Sequence, residues 1–345
     1  VHEILDIKGD YVNLAYKVED LKKHCKDGLG LINVYDEIVY HQFDVMGLVK
    51  YNRVPKNHMF ARWVKSGFFA DGTGAGFDTG GTHDIANHLR ARREGIWGIA
   101  HELGHVNQIR PGLKWHGTAE ATNNVYSIYT QYMLAPDLLA LERYNHNDGD
   151  DNRVLGGRFN SYLNYGILRG EKWLYQKGGD RMKNYDQDNT SGGDHFVKLC
   201  PLWQLMMYYR FMEVTPWHKP DWYKDIAEKA RLTDDKGKSS GQLQIQFIRT
   251  VCDAVGEDLT DFFVRCGMLK PINYRLNDYG WAQHTITQKD CDDVIAYAKK
   301  YPKPHTPVLY YLSANSLNAY KNKLPIRGTF GEGVNTYPDK EYCII

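Results

Sequence analysis

The chain has 345 residues, enough for one large domain or two lobes. Its 43 Lys+Arg against 42 Asp+Glu leave a formal charge of +1, so the basic excess of a nucleic-acid binder is missing. It holds no run of about 18 apolar residues that would span a membrane, and its opening Val1-His2-Glu3 has neither the basic nor the apolar region of a signal peptide.

In chain order, residues 31–48 place apolar side chains at helical spacing. Residues 58–69, rich in aromatic and β-branched types, predict a strand that runs into the glycine-rich 70–76. No Gly-Lys-Ser/Thr follows those glycines, which excludes a phosphate loop and suggests a flexible strand margin where another backbone approaches closely. Residues 94–109 return to helical period with Ile96, Ile99, Ala100, Leu103 and Val106 on the buried side, until Pro111-Gly112 breaks the chain. A second helix is expected from Thr118, as its N-cap, to Pro136. The polar stretch 145–157 reads as a surface loop. Its Asp148, Asp150 and Asn152 resemble a calcium loop, but Arg153 stands where that loop needs glycine. From 159 to 300 the pattern is mainly helical, over 196–213, 222–231, 241–255, 258–266 and 288–300. Beyond Pro302 and Pro304 short strands suggest a small β-rich element over 301–345. The cysteines at 25, 200, 252, 266, 291 and 343 form no C-x-x-C pair. Mostly buried thiols are expected, with one bridge in the 252–291 region.

The chemistry lies in His101-Glu102-Leu103-Gly104-His105, an H-E-x-x-H on a predicted helix. Positions i and i+4 share a helix face, so the two imidazoles can hold one Zn²⁺. Glu102, one residue after the first ligand, can reach a zinc-bound water rather than the metal, which is the place of a general base. A metzincin would need Gly at 108 and His at 111, where this chain has Gln108 and Pro111. A third ligand from the following helix is the alternative. Glu120, fifteen residues after His105, fits it, with Asn124 one turn on as a hydrogen-bond partner for a ligand histidine. Glu142 competes for that role but follows Pro136 and a second break.

These residues, followed by Gly117-Thr118-Ala119-Glu120-Ala121-Thr122-Asn123-Asn124-Val125-Tyr126-Ser127, resemble the enhancin-like, mucin-targeting zinc metallopeptidases. The match extends to Asn52-Arg53-Val54 and Met59-Phe60-Ala61 upstream. Downstream it includes Phe196-Val197-Lys198-Leu199 and the segment from Gly256 to Phe263, so it covers roughly residues 30–270. The resemblance implies His101, His105 and Glu120 as ligands of one catalytic zinc and Glu102 as the base. It also implies a secreted or cell-surface bacterial endopeptidase acting on O-glycosylated, mucin-like proteins.

For the substrate, Trp115 in the loop between the two helices offers a face on which a sugar could stack. His195, beside Asp194, could support the carbonyl oxygen. The glycine-rich margin over 70–81 could pair with the substrate backbone. The expectation is an α+β zincin over 1–300, with a sheet-containing lobe over about 1–110 and a mainly helical one over about 111–300. A monomer is expected. The rival readings are a gluzincin aminopeptidase, for which no G-x-M-E-N-type anchor is found, a general protease without glycan dependence, and a glycoprotein-binding module with a structural zinc, which would have no use for Glu102.

Overall fold

The computed structural model describes residues 3–138, 141, 157–176, 193–213, 218–304, 312–314 and 317. The chain forms two compact units: Val1–Gln108 with Thr122–Leu138, and Ile109–Ala121 with Leu139–Ile345.

The first unit is built on a five-stranded sheet of order β1-β2-β3-β5-β4. Strand β1 (Ile4–Lys8) pairs antiparallel with β2 (Val12–Lys17). Helix α1 (Gly28–Val45) then carries the chain over, so that β3 (Met59–Trp63) lies parallel to β2. The Asp27 side chain accepts from the Gly30 amide and starts α1 three residues before the first periodic apolar position. Leu31, Val34, Tyr35, Ile38 and Val39 form its buried stripe. On the same helix, Asp36 accepts from the amides of Asp10, Tyr11 and Val12, tying α1 to the first strand turn.

The single strand expected over 58–69 is two strands, because Gly67 (φ 74°) lets the chain reverse between β3 and β4 (Phe68–Asp71). The glycine-rich stretch is also not a margin. It enters β5 (Gly74–Phe77), parallel to β3 on one side and antiparallel to β4 on the other, with all four residues buried. Close approach is what its glycines permit. A Cβ on Gly74 would lie 2.2 Å from the Phe60 carbonyl oxygen.

Helix α2 (Ile96–Asn107) buries Ile96, Ile99, Ala100 and Leu103, whereas Val106, expected on that face, is 43 % exposed. Buried Gln42 of α1 donates to the Ala100 carbonyl and accepts from the Asn107 side-chain Nδ2, fixing α2. The second expected helix is interrupted. A turn at Ala119–Thr122 precedes α3 (Asn124–Leu134), with Asn123 between them. Helix α3 belongs to the first unit, where the Tyr129 hydroxyl donates to Asp44 of α1 (2.9 Å). The chain leaves the first unit after Gln108, near the division expected at about 110, and returns to it over Thr122–Leu138.

The second unit holds helices α4 (His195–Met206), α5 (Trp222–Leu232), α6 (Ser240–Val255), α7 (Thr260–Arg265) and α8 (Gln288–Ala298). Ser239 and Gln242 form a capping box at the start of α6, and Gly256 (φ 72°) ends it. The sequence pattern did not predict the antiparallel hairpin of β6 (Ile272–Asn277) and β7 (Trp281–Ile286). The bridge expected in the 252–291 region is absent among the described residues. Cys252, Cys266 and Cys291 are free thiols, each buried in the packing of its own helical segment. No helix among the described residues is long and apolar enough to cross a membrane. The calcium-like stretch 148–153 and nearly all of the expected C-terminal β-rich element lie outside the described residues.

Candidate metal centre

Helix α2 presents His101 and His105 one turn apart, with their Nε2 atoms 3.2 Å from each other. The ring planes stand at 89° with centroids 4.7 Å apart. His101, Glu102 and His105 can each offer a ligand atom, all within 4.8 Å of one another. Glu102 is 7 % exposed, so its carboxylate sits in a largely dry environment.

The outer nitrogen of each ring is held by an amide. Asn124 Oδ1 lies 2.8 Å from His101 Nδ1, and Gln108 Oε1 lies 3.2 Å from His105 Nδ1. Gln108 in turn donates to the Thr122 hydroxyl (2.9 Å), which orients its oxygen toward the ring. An amide oxygen only accepts, so the proton of each neutral imidazole belongs on Nδ1. The two Nε2 lone pairs then converge. Asn123 Nδ2, 2.9 Å from His105 Nε2, donates into that region, and Asn123 is wholly buried.

This donor set fits zinc. Two ligand nitrogens on a tetrahedral zinc, with bonds of about 2.05 Å, stand about 3.3 Å apart; the observed 3.2 Å is close to that. Gly104 lets α3 come near enough to supply the asparagines, since a Cβ there would lie 2.9 Å from the Asn123 carbonyl oxygen.

Glu120 lies in the second unit, on the turn Ala119–Thr122. Its carboxylate accepts from the Tyr279 hydroxyl at the tip of the β6–β7 hairpin (2.5 Å). Asp278 accepts from the amides of Gly117 (2.8 Å) and Ala119 (3.1 Å). Lys198 of α4, itself wholly buried, donates to the Gly117 carbonyl (2.8 Å). Glu142, the competing ligand, lies outside the described residues.

Two expected substrate residues do not have the setting foreseen for them. Trp115 is 3 % exposed and packs against Trp173 and Phe247, so it offers no open face to a sugar. Asp194 does not serve to orient His195. Its carboxylate caps α4 through the Phe196 and Val197 amides and meets buried Arg158. His195 is buried as the first residue of that helix. The glycine-rich margin is also unsuited to adding a substrate strand at Gly74–Phe77, which is already paired on both sides; the sheet edge on that side is β4.

Sequence reasoning missed Gln108, Asn123 and the hairpin residues Asp278 and Tyr279. Gln108 was legible in principle, three residues after His105 at the end of the same helix.

Residues 2–267 match the family model described as Peptidase M60, enhancin and enhancin-like. No curated protein matches the chain. Among solved structures, a metallopeptidase in complex with Tn antigen has a TM-score of 0.72 at 22 % identity, over 91 % of this chain and 54 % of that one. A metallopeptidase from Bacteroides thetaiotaomicron gives 0.69 at 21 %, over 90 % and 48 %. The catalytic domain of ZmpC from Clostridium perfringens, in complex with the sialyl T antigen, gives 0.57 at 18 %, over 92 % and 52 %. These likenesses carry the α+β fold, and the chain spans about half the length of each of these structures.

Proposed function

The chain belongs to the enhancin and enhancin-like peptidase family, and from that premise we propose that it is a secreted zinc endopeptidase cutting O-glycosylated, mucin-like proteins. The observation that carries the reading is the convergence of His101 and His105 Nε2 atoms, 3.2 Å apart, beside buried Glu102. His101, His105 and Glu120 would hold the metal. When bound, zinc supplies Lewis acidity that makes a water more acidic and polarises a peptide carbonyl.

The chain's own residues do the rest. Asn124 and Gln108 keep the protons on Nδ1, so that both Nε2 atoms remain ligands. Glu102 takes the proton from the attacking water and passes it to the departing amine, and no covalent intermediate with the protein is needed. Burial of Glu102 keeps bulk water from competing for that proton. The glycan part of the reading draws support from the two similar structures described with Tn and sialyl T antigens.

The test is mass spectrometry of a Ser/Thr peptide with and without a mucin-type glycan after equal digestion. Chelator-treated enzyme and Glu102→Ala serve as controls. Cleavage of the glycopeptide alone is expected, and Glu102→Ala should keep its zinc while losing about 10²–10⁴-fold in rate. Equal cutting of both peptides would remove the mucin reading and leave a zinc peptidase. Activity of Glu102→Ala within a few-fold of the parent would sink the mechanism.

A further inference from the structure

We infer that the β6–β7 hairpin is a clamp that positions Glu120, and that Tyr279 stands at its tip as a positioning residue for that carboxylate. The inference rests on the reading of Glu120 as the third zinc ligand.

The segment 116–120 is fastened to the hairpin at successive residues. His116 Nε2 lies 2.9 Å from the Leu276 carbonyl oxygen. The Gly117 and Ala119 amides both donate to one carboxylate oxygen of Asp278. The Glu120 carboxylate accepts from Tyr279. On the other side, the Gly117 carbonyl accepts from the wholly buried ammonium of Lys198, a cation that must find polar partners where it lies. Gly117 itself has φ 94° and no room for a side chain, since a Cβ would lie 2.9 Å from the Leu276 side chain. The hairpin thus holds both the backbone of this segment and the Glu120 carboxylate.

Leu276 and Lys198 are buried, and Tyr279 is not. Its side chain is 85 % exposed, so burial does not explain a large aromatic there. Its φ of 58° lies in the left-handed region, where glycine and asparagine are at ease and a bulky residue is not. A residue that suits neither the solvent nor the backbone needs another reason to be present, and the bond from its hydroxyl to Glu120 supplies one. A phenol on one carboxylate oxygen fixes the direction in which the other points. Supports of this kind are typically worth about 10–100-fold in metal affinity.

The experiment measures zinc affinity by competition with a chromophoric chelator, and the melting temperature of the zinc-free protein, on the full chain. Tyr279→Phe, Tyr279→Asn and Glu120→Ala are compared with the parent. Tyr279→Phe is expected to bind zinc about 10-fold more weakly, with an unchanged zinc-free melting temperature. Tyr279→Asn, better suited to the left-handed backbone, should melt at or above the parent yet show a similar loss of affinity. Parental affinity in both tyrosine variants, beside a Glu120→Ala that loses zinc, would overturn the clamp and leave the metal reading intact. A Tyr279→Asn that melts lower with affinity unchanged would make Tyr279 a packing residue and overturn it too. Parental affinity in Glu120→Ala would remove the ligand assignment itself, and the clamp with it.

Discussion

Replacing Gly104 by Ala would test the close approach on which the candidate metal centre depends. Alanine is better than glycine inside a helix by about 1 kcal/mol, so on α2 alone the change would stabilise. The structure opposes that gain. The new Cβ would stand 2.9 Å from the Asn123 carbonyl oxygen and 3.3 Å from the Tyr126 ring. Ordinary carbon–oxygen contact begins about 0.5 Å further out, and a backbone carbonyl cannot turn aside as a side chain can, so the start of α3 must move. Overpacking of this kind costs about 1–3 kcal/mol, which leaves a net loss of up to about 2 kcal/mol after the helix gain. The same movement stretches the 2.8 Å contact between Asn124 and His101, so zinc affinity should fall by about 10-fold. Urea unfolding and chelator competition on one preparation measure both. A variant more stable by about 1 kcal/mol with parental zinc affinity would refute the reasoning.

His101→Ala and His105→Ala should each lose most of the bound zinc, because three ligands do not readily become two; metal content after dialysis is the measure. In the same assay, Glu142→Ala should keep its zinc, and a Glu142→Ala that lost it while Glu120→Ala held it would reverse the ligand assignment. Burial, opposed by a bond to the His116 backbone and aided by the charges of the His116 ring and Lys198, holds His284 down to about 4, from an ordinary value of 6.5. The unfolded chain therefore takes a proton below pH 6.5 that the folded one refuses until about pH 4. This contribution is full above pH 6.5 and declines as the pH falls toward 4, by about 3 kcal/mol at roughly 1.4 kcal/mol per pH unit. His284→Phe should flatten that part of the stability–pH curve in urea titrations at pH 7 and 4.5, and an identical slope in both proteins would refute it.

The elements most legible in the sequence were those with long apolar periodicity. The α1 and α2 stripes follow from side-chain spacing alone, as does the one-turn separation of His101 and His105. The failures have physical causes. The interruption at Asn123 is set by what that side chain does beside the histidines, which helical period does not record. The β6–β7 hairpin was missed because its strands carry polar residues between Ile272, Leu276 and Ile286, and the tyrosine at its tip disguises the turn. Trp115 was offered to a sugar because a loop position suggested exposure, but its ring is taken by Trp173 and Phe247. Val106 fell on the outer side of α2 because the buried stripe of that helix ends at Leu103 and Gly104.

The glycines at 74 and 104 share a setting: each lies against a backbone carbonyl oxygen, that of Phe60 and that of Asn123. A joint between side chains has slack, since a rotamer can change and the gap can refill. A joint between backbones has none, and a displacement of one segment is passed whole to the next. In mechanical terms these two glycines are therefore rivets of the first unit: Gly74 fixes one strand against its neighbour, and Gly104 keeps the helix that carries both histidines at a constant distance from the segment that orients them.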